Sequence, residues 1–198
     1  MNLSVLGAAA VLFAVTNIDD LVVLALFFAQ GAGRRGTTRT VATGQYLGFT
    51  AIVAVAVAAA FGATLLPGSV LPYLGLVPLA LGIRAAVQAW RQRGDDEDEP
   101  GGRPGGPTVL GVAAVTFANG GDNIGVYVPV FATAGVRDMT AYVIVFLILV
   151  AVWVAAGRWF ATRPLIARAL SRSGHVLLPV VLIGLGLLIL IEGRAFGG

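Results

Sequence analysis

Residues 3–29 have the sequence LSVLGAAAVLFAVTNIDDLVVLALFFA, an almost unbroken apolar stretch with two adjacent carboxylates, Asp19 and Asp20, just beyond its centre. Roughly 20 apolar residues are needed for a helix to cross the hydrocarbon core of a bilayer, so this stretch is long enough to span it. Residues 109–134 repeat the pattern with the sequence VLGVAAVTFANGGDNIGVYVPVFATA, in which Asp122 lies near the centre. The two stretches predict an integral membrane protein with acidic groups inside its spanning helices.

The composition of the whole chain points the same way. Of its 198 residues, 58% are hydrophobic and only 12% are charged, whereas a soluble domain has about 25% charged residues. This excludes a water-soluble enzyme and a disordered chain, and the lack of cysteine excludes a disulfide scaffold and thiolate metal sites. The basic residues are arginines that mostly lie between apolar stretches, which is typical of membrane topology and not of nucleic-acid binding.

Six apolar stretches are long enough to cross a membrane, which predicts an all-α integral membrane protein with six transmembrane helices. They cover residues 3–29, 41–66, 70–90, 109–134, 141–156 and 175–191. The arginines are concentrated in the loops after the first, third and fifth stretches, which we therefore place in the cytoplasm, with both termini outside. Trp90, Trp153 and Trp159 are predicted to anchor span ends at the membrane–water interface.

The spans are predicted to form two three-helix repeats separated by an acidic, Gly/Pro-rich cytoplasmic linker. The first repeat, the linker and the second repeat cover residues 1–90, 91–107 and 108–198. Shifting the sequence by 103 positions superposes Asp19 on Asp122, and Thr16 on Asn119. Because each repeat has three spans, the second must be inverted relative to the first, an arrangement typical of transporters with a site near the membrane midplane.

The intramembrane aspartates predict what this site binds. A carboxylate at the centre of a spanning helix costs about 2.5–3.5 kcal/mol on insertion scales, and spans one and four contain no arginine to pair with it. Protonation, hydration or a bound cation must therefore offset the charge. Four-residue spacing places Thr16 with Asp20, and Asn119 with Asn123, on one helix face each.

Carboxylates flanked by neutral oxygen donors in the two spans predict an oxygen-rich cage for a divalent cation. The candidate metal ligands are Asp19, Asp122, Asp20, Asn17, Asn119, Asn123 and Thr16. Thr116 lies one helical turn before Asn119 and extends the polar face that Asn119 and Asn123 form. Gln45 in the second span faces either the transport pathway or a helix interface. Gly120, Gly121 and Gly125 would allow close helix approach or local unwinding.

The polar stretches Thr16-Asn17-Ile18-Asp19-Asp20-Leu21 and Asn119-Gly120-Gly121-Asp122-Asn123-Ile124 resemble the two signature stretches of the cadmium resistance transporter family, within the lysine-exporter superfamily. Residues 75–83 and 173–179 are similar to that family's third and sixth spans, so the resemblance covers nearly the whole chain except the linker. It implies six spans, a plasma (inner) membrane location, and export of divalent metal coupled to inward proton movement. The residues that match its polar motifs are Asn17, Asp19, Asp20, Asn119, Asp122 and Asn123.

We therefore predict a multi-pass secondary exporter of divalent metal ions, and not an enzyme. The metal is its substrate, protons are the coupling ion, and no cofactor is expected; a homo-oligomer is compatible with the sequence. Oxygen ligands suit manganese, magnesium or calcium as well, so cadmium itself rests on the resemblance.

Two alternatives remain open at the level of sequence. Export of another small solute such as an amino acid is one, although an anionic pocket suits a cation better than an amino-acid carboxylate. An intramembrane aspartyl protease is the other and the weaker. Asn119 stands where the Gly-x-Gly-Asp pattern of those enzymes has its first glycine, and the partner Tyr-Asp dipeptide is absent.

Overall fold

The computed structural model describes residues 3–63 and 106–163, together with isolated positions between residues 65 and 87 and between residues 183 and 191. The two continuous ranges are helical and contain no strand, which confirms the predicted all-α class for this part of the chain. The helices are α1 (Leu3–Thr16), α2 (Asp20–Gln30), α3 (Thr37–Ala63), α4 (Val109–Asn119) and α5 (Gly121–Phe160). Most of the predicted third and sixth spans and most of the acidic linker lie outside the described residues.

Helices α3 and α5 are each long and apolar enough to cross a membrane, and α1 with α2 would make a third, bent span. The outward faces of α3 and α5 carry exposed aliphatic side chains such as Leu47, Val55, Ile144 and Ile148. A helix pairs its backbone polar groups internally and can present such a face to lipid. The protein is therefore a membrane protein with two or three candidate spans in its described part.

The first apolar stretch is broken at residues 17–19, where the axes of α1 and α2 differ by 60°. Thr16 Oγ1 and Asn17 Nδ2 each donate at 2.9 Å to the backbone carbonyl four residues back. Such side-chain bonds compete with the helical pairing of the backbone. Just beyond them, the Leu21 N–H donates to the Ile18 carbonyl, only three residues back. The polar motif thus ends one helix and begins another.

Helix α5 folds back on itself at Gly135. This residue has φ 75° and ψ 164°, a left-handed backbone conformation that glycine adopts without steric cost. The rings of Tyr127 and Phe146 are 4.9 Å apart, whereas 19 residues of straight helix would separate them by about 28 Å. Residues 121–134 and 136–160 are therefore two antiparallel arms, and the turn directly follows the predicted fourth span.

The contacts of α3 fix the directions of its neighbours. Thr37 at the start of α3 donates to Gly31 O at the end of α2, while Gln45, two turns later, reaches Asp20 at the start of α2. Helices α2 and α3 are therefore antiparallel. On its other side α3 contacts α4, and the contacts follow the same order along both helices. Gly44 approaches Val112, Gly48 approaches Thr116, and Ile52 approaches Gly120. Helices α3 and α4 are therefore parallel.

An aromatic cluster holds these helices together. The Phe13 ring of α1 lies 5.4 Å from Phe49 of α3, 5.6 Å from Phe146 and 5.1 Å from Trp153, both of α5. Each such pair stabilises by about 0.5–1.5 kcal/mol beyond its buried area. Because Phe13 lies one turn before the break, the cluster fixes the position of the polar motif against α3 and α5.

The parallel contact between α3 and α4 depends on small residues. A Cβ atom at Gly48 would lie 2.6 Å from the Ala113 carbonyl oxygen and 2.7 Å from Thr116 Cβ. We expect Gly48→Ala to lower the free energy of unfolding by about 1–3 kcal/mol through overpacking, measured by thermal unfolding in detergent. Gly62→Ala, in the same helix, is the matched control, because no described atom lies within 4 Å of its Cβ position. Equal stability of the two variants would contradict the close packing.

Candidate functional site

The carboxylate of Asp20 lies at the centre of the described helices. Its side chain is only 4% exposed, although it is the first residue of α2. Oδ1 accepts a hydrogen bond from Asn119 Nδ2 at 2.7 Å, and Oδ2 accepts one from Gln45 Nε2 at 3.1 Å. These donors come from α4 and α3, so the start of α2 is tied to both halves of the described chain. Within the described ranges, both hydrogen-bond partners of this buried charge are neutral amides.

Asp19 shares the same asparagine. Its Oδ2 accepts from Asn119 Nδ2 at 3.1 Å, so that one amide group bridges two carboxylates. Asp19 is exposed, and Asn119 is half-buried between it and Asp20. The NH2 group of Asn119 therefore lies between two carboxylate oxygens.

Asp122 lies near this pair at the start of α5 and is exposed. Its charge is close enough to act on those of Asp19 and Asp20. No group of three His, Cys, Asp or Glu side chains in the described residues is arranged to hold one metal ion. The carboxylates alone therefore do not form a closed cage here, and amide or hydroxyl oxygens would have to complete any cation shell.

A second group of polar side chains joins the two helix breaks. Asn17, 1% exposed, donates from Nδ2 to Tyr127 Oη and to Thr16 Oγ1, both at 2.9 Å. Its Oδ1 accepts from Asn123 Nδ2 at 3.3 Å. Tyr127 Oη and Thr16 Oγ1 are themselves 2.9 Å apart. The predicted ligands Asn17, Thr16 and Asn123 thus lie together, but their polar atoms are engaged with one another.

Trp153 contacts the break between α1 and α2. Its Nε1 donates to the backbone carbonyl of Asn17 at 2.7 Å, and its ring packs on Phe13. The prediction that Trp153 anchors a span end at the membrane–water interface is therefore wrong. The bend between α1 and α2 takes the Asn17 carbonyl out of the helical ladder, and a buried carbonyl needs a donor.

The four-residue spacings predicted two continuous helix faces, and for Thr16 and Asp20 this interpretation is wrong. Thr16 ends α1 and Asp20 begins α2, so the bend directs Thr16 to Tyr127 and Asp20 to Gln45 and Asn119. Helix α4 ends at Asn119, and α5 begins at Gly121. Thr16 and Asn119 are the residues that the shift of 103 positions superposes. The two polar motifs therefore break their helices at matching positions.

Sequence reasoning missed three participants in this site. The sequence allows Gln45 to face either the transport pathway or a helix interface, and the structure places it in a helix interface, hydrogen-bonded to Asp20. Tyr127 and Trp153 were not predicted as part of the site. The sequence contains a feature that could have identified Tyr127. Its hydroxyl group lies inside an apolar span, one helical turn after Asn123.

A helical membrane protein whose buried carboxylate lies between two broken helices belongs to the broad class of proteins with an ionisable site inside the bilayer. The particular family follows from comparison. The sequence model of the cadmium resistance transporter family matches residues 13–197, nearly the whole chain, and the protein belongs to that family. This confirms the resemblance seen in the polar motifs. No curated protein and no solved structure matches the chain significantly.

Proposed function

We propose that this protein is a secondary exporter of divalent metal ions that binds its cargo between the two helix breaks and exchanges it for protons. The observation that carries the proposal is the Asp20 carboxylate, 4% exposed and hydrogen-bonded by two neutral amides, Asn119 and Gln45. Amide donors offset only part of a buried charge. A cation offsets it fully, and membership of a metal transporter family makes a metal ion the natural cation.

In the proposed metal-bound state, the ion lies between Asp19 and Asp20, where the Asn119 amide now bridges them. Asn119 turns its amide and presents Oδ1 to the ion, and Asp122 approaches from the second repeat. Carboxylate and amide oxygens of this kind suit hard divalent ions. Thr16, Asn17 and Asn123 hold the two breaks together beside the ion.

Protons provide the release step. A protonated aspartate is a poor metal ligand, so protons that reach Asp19 and Asp20 from the outer side displace the cargo. The protonated carboxyl groups are then neutral and tolerate burial while the site returns to the cytoplasmic side. The ordinary acid–base chemistry of two carboxylates thus couples metal export to inward proton movement.

We further propose six spans in two inverted repeats, residues 1–90 and 108–198, joined by the linker 91–107. The directions of the helices support this topology. Because α3 runs antiparallel to α2 and parallel to α4, the first span of the second repeat runs opposite to the first span of the chain. A chain that leaves α3 and enters a parallel α4 must cross the bilayer once in between. The apolar stretch 70–90 has the length that this crossing requires.

The proposed location is the plasma membrane, with both termini outside. The arginine-rich loops support this orientation. In it, the turn at Gly135 faces outward and the connection between α2 and α3, with Arg34 and Arg35, faces the cytoplasm.

Transport by purified protein in lipid vesicles tests the proposal. We expect Cd²⁺ or Mn²⁺ to cross the membrane, with protons moving the other way, when metal and pH indicators are read together. Asp19→Ala combined with Asp122→Ala should reduce metal movement to that of empty vesicles, whereas Asp138→Ala, outside the two polar motifs, should not. Unimpaired transport by the double variant, or movement of amino acids in place of metal, would overturn the proposal.

A further inference from the structure

Gln45 is the one polar side chain of α3 that reaches the acidic pair, and its surroundings are unusual for a glutamine. It is 2% exposed and lies on the buried face of α3, whose other nearby members are Val41, Gly44, Gly48 and Phe49. Both ends of its amide are used. Nε2 donates to Asp20 Oδ2 at 3.1 Å, and Oε1 accepts from Thr116 Oγ1 at 2.6 Å.

The Asp20 carboxylate, which only accepts, requires the NH2 end of the amide, and Thr116 binds the oxygen at the other end. Its hydroxyl, 1% exposed, donates to Gln45 Oε1, so the oxygen of the amide is held toward α4 and the NH2 group toward Asp20. The reverse orientation would place an amide oxygen against a carboxylate oxygen, two acceptors without a proton between them. Thr116, Gln45 and Asp20 therefore form a directed chain of hydrogen bonds across three helices.

The two amide partners of Asp20 differ in how firmly they are held. Gln45 is buried and fixed by a second hydrogen bond at its far end. Asn119 is half-buried on the side of exposed Asp19, and the bonds shown for its side chain both go to the carboxylates. A cation that enters beside Asp19 can replace Asn119 Nδ2 but has no access to the bond at Oδ2.

We propose that Gln45 is a positioning residue for the cargo site, held at its far end by Thr116, and that it keeps the Asp20 carboxylate in place both with and without the ion. This inference rests on the proposed function, in which Asp20 contacts the metal. Gln45 itself does not touch the ion. It fixes the rotation of the carboxylate, so that Oδ1 always faces the gap that Asn119 bridges. A carboxylate pre-oriented in this way loses less freedom when the ion binds.

Transport kinetics of Cd²⁺ in vesicles separate positioning from a purely structural role. Gln45→Leu keeps the approximate volume and removes the donor, and we expect its KM for Cd²⁺ to rise about tenfold or more while kcat changes little. A structural defect would instead lower the amount of active protein, and hence the apparent kcat, at constant KM. Gln30→Leu, at the exposed end of α2, is the matched control and should leave KM unchanged.

Thr116 provides a second test that avoids a change at the buried glutamine. Thr116→Val removes the hydroxyl and should raise KM, Thr116→Ser restores the hydroxyl and should restore KM, and the remote control Thr133→Val should have no effect. If the three residues act as one chain, Gln45→Leu combined with Thr116→Val should have the KM of Gln45→Leu alone. Equal KM values for Thr116→Val and Thr116→Ser would overturn the proposal.

Asp20→Asn, measured in the same vesicles, distinguishes this inference from the function on which it rests. If Asp20→Asn loses transport while Gln45→Leu and Thr116→Val keep the wild-type KM, the positioning role is wrong and the exporter proposal survives. If Asp20→Asn transports Cd²⁺ with wild-type kinetics, both are wrong.

Discussion

Asp20→Asn is expected to lower kcat/KM for metal transport by at least about 30-fold. The change removes the carboxylate charge that pairs with the metal ion in the proposed bound state, and the loss of one member of a buried charge pair costs about 2–5 kcal/mol. The substitution keeps the size and planarity of the side chain and removes only its charge. Asp20 is the most buried of the three intramembrane aspartates, and it accepts hydrogen bonds from two amides on different helices. Vesicle uptake of Cd²⁺ over a range of concentrations measures the effect.

The same variant should remain folded. A neutral side chain avoids the cost of about 2.5–3.5 kcal/mol for a carboxylate inside the membrane. The new NH2 group, however, must face the NH2 group of Asn119 or Gln45, and a buried donor without an acceptor costs about 1–3 kcal/mol. These two contributions nearly cancel, so we expect a thermal midpoint close to that of the wild type.

Asp138→Asn is the matched control for this prediction, since it makes the same chemical change just after the turn at Gly135. It should transport metal like the wild type. If Asp20→Asn transported as well as Asp138→Asn, the buried carboxylate would have no part in moving the cargo. If it failed to fold, transport by Asp20→Glu, which retains the charge, would decide the question.

The sequence located the two polar motifs but not the way in which they meet. Adjacent aspartates inside an apolar stretch are visible in the sequence alone. So are the concentration of arginines in alternate loops and the end of the fourth span at Ala134. The helix breaks were harder to predict from the sequence. Four-residue spacing describes a face only if the helix is continuous, and Thr16 and Asn17 use their side chains to bond the carbonyls that would have continued it.

The partners of the motifs depend on tertiary packing and were not predictable for that reason. Trp153 looks like an interfacial tryptophan until the bend between α1 and α2 releases the Asn17 carbonyl to which it donates. Gln45 acquires its partners because Gly44 and Gly48 allow α3 to approach α4 closely enough for Thr116 to reach the glutamine. The two glycines are visible beside position 45 in the sequence, but which helix they allow to approach is not.

Asn17→Asp should destabilise the protein severely, by about 3 kcal/mol or more, measured as a fall in the thermal midpoint in detergent. Asn17 Nδ2 lies 2.9 Å from each of three acceptors, the Phe13 carbonyl, Thr16 Oγ1 and Tyr127 Oη, which share its two protons. A carboxylate oxygen in its place would face the Phe13 carbonyl, which cannot supply a proton. The added charge would also be buried at a position that is 1% exposed in the wild type.

Asn119→Asp is the comparison that makes this result informative. It too replaces an amide by a carboxylate, but here the shown side-chain bonds go only to Asp19 and Asp20, where the proposed ion binds. Without metal, the third negative charge should destabilise the protein by repulsion. With Cd²⁺ or Mn²⁺, the added carboxylate should strengthen binding, so the metal-induced rise of the thermal midpoint should exceed that of the wild type.

The two variants therefore test separately the two roles that a polar residue can have at this site. Added metal should rescue Asn119→Asp and fail to rescue Asn17→Asp, because only the first change lies where the cation enters. A metal-induced rise in Asn17→Asp larger than that of the wild type would show that Asn17 is a ligand, as its place in the motif predicted, and that the link between the two helix breaks is not its main role. Failure of metal to stabilise either variant or the wild type would mean that the gap between Asp19 and Asp20 does not bind a cation.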